Sequence, residues 1–194
     1  MKTVFFDVDT QIDFMMPAGA LYVRGAEHIL DRIASLNRHA ASSGIALIST
    51  ADAHAESDAE FAHWPPHCVC GCLGQRKAQA TLIGKCVVIP NRGGLPETAG
   101  AAQIVVEKQT VDIFETSTIR PLLERLGAER FVVYGVVTEV CVQLAARGLL
   151  RLGKPVTIVT DAIAALDRET GERALGELRA AGAILATAGE VLRG

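Results

Sequence analysis

The architecture this sequence predicts is a three-layer α/β domain around a central, mainly parallel sheet, and three observations carry it. Short β-branched runs recur along the chain, the pattern of strands buried on both faces. Stretches with apolar residues at helical spacing alternate with them across short links. Several strands empty into polar residues at their carboxyl ends, the edge at which open α/β sheets place ligands.

Residues 3–8, TVFFDV, read as the first strand, followed by Asp9, Thr10, Gln11 and Asp13. Asp7 and Asp9 point to one face if the strand continues, with Asp9 nearer the mouth. The same cluster also suits a solvated Asx-type turn. Residues 15–23 have loop character, with Pro17 and Gly19, and Phe14 either walls a pocket or packs in the core. A helix over 27–42 carries Ile29, Leu30, Ile33 and Leu36 on one side and stops near Gly44.

The second strand, 45–50, leads into Asp52 and His54, which fall on one side of an extended segment. In the following HWPPHC, Pro65 and Pro66 stiffen the backbone before His67. Asp52, His54 and His67 together make a carboxylate-plus-two-imidazole set, with other coordination positions left to water or substrate. Two scattered histidines also fit an ordinary surface. Cys68, Cys70 and Cys72, with His63 and His67, offer a structural zinc knot, which the C-x-C-x-C spacing disfavours because alternate residues do not converge on one ion. Reduced, partly buried thiols are the simpler reading.

Residues 73–102 are punctuated by glycine and proline, the composition of an insertion that shapes an opening or an oligomer contact, with a local strand at 86–89. A strand at 103–106 is followed by Glu107 and Lys108. Lys108 is either solvated or, beside a carboxylate, a fixed charge able to hold a thiolate. Thr116 or Ser117 caps a helix running through Leu126, and residues 131–137 form a further buried strand. Thr138 then caps a helix bearing Val142, Leu144, Leu149 and Leu150, which puts Cys141 in its first turn. Unpaired amides and the positive end of the helix dipole there favour a thiolate and can receive charge on a substrate oxygen. A buried core cysteine is the alternative. A strand at 155–160 ending in Asp161, a helix at 170–181 and a strand at 183–187 complete the chain.

With 194 residues and 49% apolar content, the sequence suits one well-buried domain spanning 1–194. A net charge of −3 supports neither nucleic acid nor an anionic membrane as partner, and no apolar run approaches the ~20 residues that span a bilayer. Five cysteines without an export signal imply reduced thiols and a cytoplasmic enzyme. G-x-G-x-x-G is absent, so a nucleotide cofactor has no support.

Taken in order, DVDTQIDF, TADAH, WPPHC, VEK and GVVTEVC resemble the isochorismatase-like cysteine hydrolases, most closely their nicotinamidase branch, from the first strand to at least Asp161. The resemblance implies Asp9 as catalytic acid/base, Lys108 as its electrostatic partner and Cys141 as nucleophile. It implies a cis peptide between Val136 and Val137 and an oxyanion hole made by the amides of Val137 and Cys141. It places a divalent ion, zinc with iron and manganese also suited, on Asp52, His54 and His67, with Glu60 or water completing the set. Phe14 and Trp64 match the aromatic residues that sandwich the substrate ring, and Phe114 stands where nicotinamidases often carry a tyrosine. The implied reaction converts nicotinamide to nicotinate and ammonia through a thioester, in a homo-oligomer, a dimer or tetramer. The alternatives are a metal-independent amidase of the same superfamily acting on N-carbamoyl or ureidoacrylate-type compounds, and a noncatalytic or thiol-redox/zinc protein on this fold.

Overall fold

A computed structural model of the chain describes residues 2–193. Seven strands form one all-parallel sheet: β1 (Thr3–Val8), β2 (Ala46–Asp52), β3 (Cys86–Ile89), β4 (Gln103–Lys108), β5 (Arg130–Val136), β6 (Val156–Ala164) and β7 (Ile184–Ala186). Their order across the sheet is β3-β4-β2-β1-β5-β6-β7. From β1 the chain builds outward through β2, then returns from β4 to pair β5 on the other side of β1. β1 is therefore the switch point, and the crevice at the carboxyl ends of β1, β2 and β5 is where this topology leaves room for a ligand.

The helices are α1 (Ile12–Met15), α2 (Leu30–Ser42), α3 (Ile119–Leu126), α4 (Gln143–Arg151), α5 (Arg168–Ala180) and α6 (Ala188–Arg193). Because strand side chains alternate, Val4, Phe6 and Val8 of β1 enter the core shared with α3 and α4, while Phe5 enters the opposite core with Ile33 and Leu36 of α2. Burial on both faces is why these strands read as continuous apolar runs. The short strand anticipated at 86–89 is an edge of the main sheet, parallel to β4. No helix among the described residues is long and apolar enough to cross a membrane.

Gly135 ties β5 to the end of β1. Its φ is +117°, and a Cβ there would sit 2.1 Å from the Val8 carbonyl oxygen, so only glycine lets the two strands meet.

Four helix starts differ from expectation, the first being α2, which begins at Leu30 behind a 3-10 turn over Ala26–Ile29 rather than at residue 27. Neither Thr116 nor Ser117 caps α3; Thr118 precedes it, with no side-chain cap bond. Thr138 does not cap the cysteine helix; Val137 is the flanking residue, and residues Thr138–Val142 form a π-helical turn before α4. α5 begins at Arg168 because the Asp167 carboxylate accepts from the Thr170 amide at 3.0 Å. α1 and α6 have no counterpart among the expected helices, since four and six residues are too short to display a helical period. α6 gains a tertiary anchor: the Ala188 amide donates to Asp161 Oδ1 at 2.7 Å.

Candidate active site

The carboxyl ends of β1, β2, β4 and β5 each bring one candidate side chain, Asp9, Asp52, Lys108 and Cys141, to the crevice. β1 stops at Val8, and Asp9 takes a left-handed φ of +47°. Alternation is broken there, so Asp7 and Asp9 enter separate networks rather than one face. Asp7 pairs with Lys77 at 3.1 Å and accepts from Asn37, Ser49 and Thr10. Asp9 is held by Thr50, whose hydroxyl donates to Asp9 Oδ1 at 2.5 Å and accepts from the Asp9 amide at 3.1 Å.

Lys108 is the last residue of β4 and is 1% exposed. Its ammonium lies 2.9 Å from Asp9 Oδ2 and 3.7 Å from Cys141 Sγ, and it also bonds Asp52 Oδ1. Burial opposes its charge, yet the two carboxylates push its pKa well above the usual lysine value. Burial raises the Asp9 pKa, against the opposing pull of Lys108. Asp52 is buried too, but Lys108 and the two imidazoles outweigh that cost and hold its carboxyl below the usual carboxylate range. The Cys141 thiol is pushed up by burial and by the neighbouring Asp9 and Asp52 charges, against the opposing pull of Lys108. Burial thus works against the thiolate that a helix terminus favours, and the Lys108 ammonium works for it.

The turn around Cys141 explains its placement. The Val137 carbonyl accepts from both the Val140 amide at 3.1 Å and the Val142 amide at 3.0 Å, bypassing Cys141 between them. The peptide between Val136 and Val137 is cis. Val137, Val140 and Cys141 line a narrow pocket together with apolar Phe14, Leu21, Val111 and Leu166 and with Asp52, Glu60, Trp64 and His67. Phe14 and Trp64 therefore both reach the pocket. Phe114 does not: it packs over Gly148 of α4 with Arg120 against its ring, and Val111 takes the wall position instead.

Asp52, His54 and His67 are brought together, their ligand atoms all within 4.8 Å of one another. Asp52 Oδ2 is 3.9 Å from His54 Nε2 and 3.6 Å from His67 Nε2, too long for hydrogen bonds and short enough to share an ion. Glu60 Oε1 stands 3.9 and 4.0 Å from the same two nitrogens. His67 Nδ1 lies 2.7 Å from the Pro65 carbonyl, which turns Nε2 inward, and His54 Nδ1 lies 3.2 Å from Asp58 Oδ2. Neither buried ring nitrogen of His54 has a hydrogen-bond partner; Nδ1 has the Asp58 carboxylate beside it, and Nε2, which faces Asp52 and Glu60, is free to ligate an ion. The donor set of one carboxylate and two imidazoles, with a second carboxylate at hand, fits a divalent ion. A cysteine knot does not form: Cys68 is buried and Cys70 and Cys72 are exposed, and among the described residues the cluster suited to an ion is the Asp52 set.

Two supporting residues escaped the sequence reading. Thr50 shares a strand face with Asp52, two residues away, which period-2 alternation contains as a signal. Gln11, noted only as polar, clamps the Asp52 backbone from both directions: its Oε1 accepts from the Asp52 amide at 2.7 Å and its Nε2 donates to the Asp52 carbonyl at 2.8 Å.

A buried cysteine, carboxylate and ammonium at the switch point of a parallel sheet, beside a candidate metal cluster, define the class as an α/β cysteine hydrolase. Residues 90–190 match the isochorismatase domain family, and the chain belongs to that family of hydrolases. It is 27% identical over 184 residues to a nicotinamidase/pyrazinamidase of Mycobacterium tuberculosis, covering 90% of this chain and 92% of that protein. A 74-residue stretch, 38% of this chain and 37% of the other, is 34% identical to nicotinamidase 3 of Arabidopsis thaliana. The structure of Pyrococcus horikoshii pyrazinamidase in complex with zinc superposes with a TM-score of 0.81 at 27% identity, covering 96% of this chain and 99% of that one.

Proposed function

We propose that the protein hydrolyses a small aromatic carboxamide, nicotinamide above all, to the acid and ammonia, with Asp9, Lys108 and Cys141 as catalytic residues. The observation that carries this reading is the run of contacts from Asp9 Oδ2 to Lys108 Nζ at 2.9 Å and on to Cys141 Sγ at 3.7 Å, under a pocket walled by Phe14 and Trp64.

Asp9 takes the Cys141 proton as sulfur attacks the amide carbon. Its raised pKa makes it a stronger base than an ordinary carboxylate. The oxyanion is received by the amides of Val137 and Cys141, whose turn forms one side of the pocket. Asp9 returns the proton to the departing nitrogen, releasing ammonia and leaving a thioester. It then takes a proton from water, whose oxygen attacks the thioester, and the acid departs as Asp9 returns that proton to the sulfur. Lys108 stays charged throughout and neutralises whichever of Asp9 or sulfur is anionic. A divalent ion held by Asp52, His54 and His67, with Glu60 beside it, would supply a Lewis-acid anchor for a ring nitrogen. Support for it comes from the unpartnered His54 Nε2 and from the zinc complex of the Pyrococcus relative.

Ammonia release from nicotinamide, pyrazinamide, N-carbamoyl amino acids and ureidoacrylate, with Cys141→Ala as control, tests the proposal. Turnover of nicotinamide by the zinc-loaded protein alone, absent in the variant, is the expected result. Inert nicotinamide beside turnover of a carbamoyl compound would transfer the reading to the metal-independent amidases.

A further inference from the structure

We propose that Cys70 and Cys72 form a reversible disulfide by exchange with small disulfides such as oxidised glutathione, and that closing it loosens the ion site. The coupling half of this proposal rests on the reading of Asp52, His54 and His67 as ligands. The two thiols take no part in the hydrolysis and lie outside its pocket.

Both cysteines are exposed. They flank Gly71 in a tight turn: the Cys72 amide donates to the Val69 carbonyl at 3.0 Å, and Gly71 has a φ of +85°, the left-handed value a type II turn requires at its third residue. Fully extended, residues two apart stand roughly 7 Å from each other. A turn shortens that span, toward the Cα separation of about 4.4–6.8 Å that a disulfide bridges. An exposed bridge closing so small a ring is of the labile, regulatory kind rather than the structural kind.

The turn is wired to the candidate ligands by two routes. Cys70 donates its amide to the His54 carbonyl at 2.9 Å, while the His54 amide donates to the Cys68 carbonyl at 3.2 Å, so this short bridge fixes the backbone of one ligand. Gln75 accepts from the Gly71 amide at 2.9 Å through its side chain, and its own carbonyl accepts from Gln11 Nε2 at 2.6 Å. Gln11 in turn clamps Asp52. Redirecting the Cys70–Cys72 turn therefore pulls on His54 directly and on Asp52 through Gln75 and Gln11.

The chemistry balances without a further reagent. The Cys72 thiolate attacks one sulfur of the small disulfide and expels the first thiolate. Cys70 then attacks the mixed disulfide at the Cys72 sulfur and expels the second. The two cysteine protons end on the two released thiols; the dithiol is oxidised and the small disulfide reduced.

The test uses zinc-loaded protein carrying Cys86→Ser and Cys141→Ala, which removes the other exposed thiol and the nucleophile. After equilibration with oxidised glutathione, intact mass should fall by two hydrogens, with the crosslink mapped to Cys70 and Cys72 and reversed by dithiothreitol. Competition with a chromophoric chelator should show zinc held about tenfold or more weakly in the oxidised form. Adding Cys70→Ser should abolish the crosslink and keep the affinity of the reduced form. A persistent glutathione adduct, no reaction, or a crosslink that leaves zinc affinity unchanged would each overturn the proposal. Substrate is absent from every arm, so failure of nicotinamide as a substrate leaves this result standing. A protein that binds no zinc in either form sinks the ligand reading and the coupling together.

Discussion

Thr50 and Asp9 bond each other twice, hydroxyl to carboxylate at 2.5 Å and amide to hydroxyl at 3.1 Å, across the junction of β2 and β1. In the proposed mechanism the Asp9 carboxylate acts as base only when ionised, so activity should be present above its pKa and lost as pH falls through it. Burial raises that pKa, which places the acid limb of kcat/KM above the ordinary 3.8, and the Thr50 hydrogen bond opposes the rise. Thr50→Val should move the limb to still higher pH and lower the plateau roughly tenfold or more, the worth of a hydrogen bond to a charged group. Thr50→Ser should restore both. A pH profile of Thr50→Val superposing on that of the parent would remove Thr50 from the account.

Lys108 stands between two buried carboxylates, Asp9 and Asp52. Lys108→Met leaves them facing each other uncompensated, at a cost of about 3–5 kcal/mol typical of a broken buried pair. Urea denaturation of the metal-free protein should report that loss, together with the loss of turnover. An unchanged midpoint would mean the ammonium has little part in stability.

Asp58 lies 3.2 Å from His54 Nδ1 and touches no reacting group. Asp58→Ala should weaken zinc binding about 10–100-fold by freeing the imidazole to rotate. Chelation should abolish nicotinamide turnover, and added zinc should restore it, at higher concentration in the variant. Equal zinc affinities in parent and variant would contradict an orienting role.

At the start of α5, Asp167 accepts from the Thr170 amide, and hydrogen bonds hold its carboxyl below the usual aspartate value of 3.8. A lowered pKa means the stabilisation is complete above the unfolded value and is lost as pH falls through the folded one. Asp167→Ala should therefore lower Tm near neutrality, and the gap should narrow as the solution is acidified below 3.8. Thermal melts across that range decide it; a gap independent of pH would assign the effect to something other than the charged cap.

Most of the fold was legible because its units are local. Residues 3–8 were placed to the residue, since a strand buried on both faces announces itself in composition alone. Helix ends were less legible: Thr138 has the right chemistry for a cap, but the Val137 carbonyl serves a wider turn that no residue pattern announces. Phe114 has the right chemistry for a pocket wall and is drawn instead onto the bare backbone of Gly148.

By itself the chain determined which strands exist, that polar groups crowd their carboxyl ends, and the chemistry on offer there: Asp9, Asp52, Lys108 and Cys141. Only tertiary structure decided that β1 pairs with β2, which bonds Thr50 to Asp9, that β4 lies beside β2, which brings the Lys108 ammonium to Asp52, and that β5 lies beside β1, which brings Cys141 to the same crevice. Hydrophobic alternation states that a strand is buried but not which strand is its neighbour, and pairs of charges far apart in sequence acquire a distance only once the sheet is assembled.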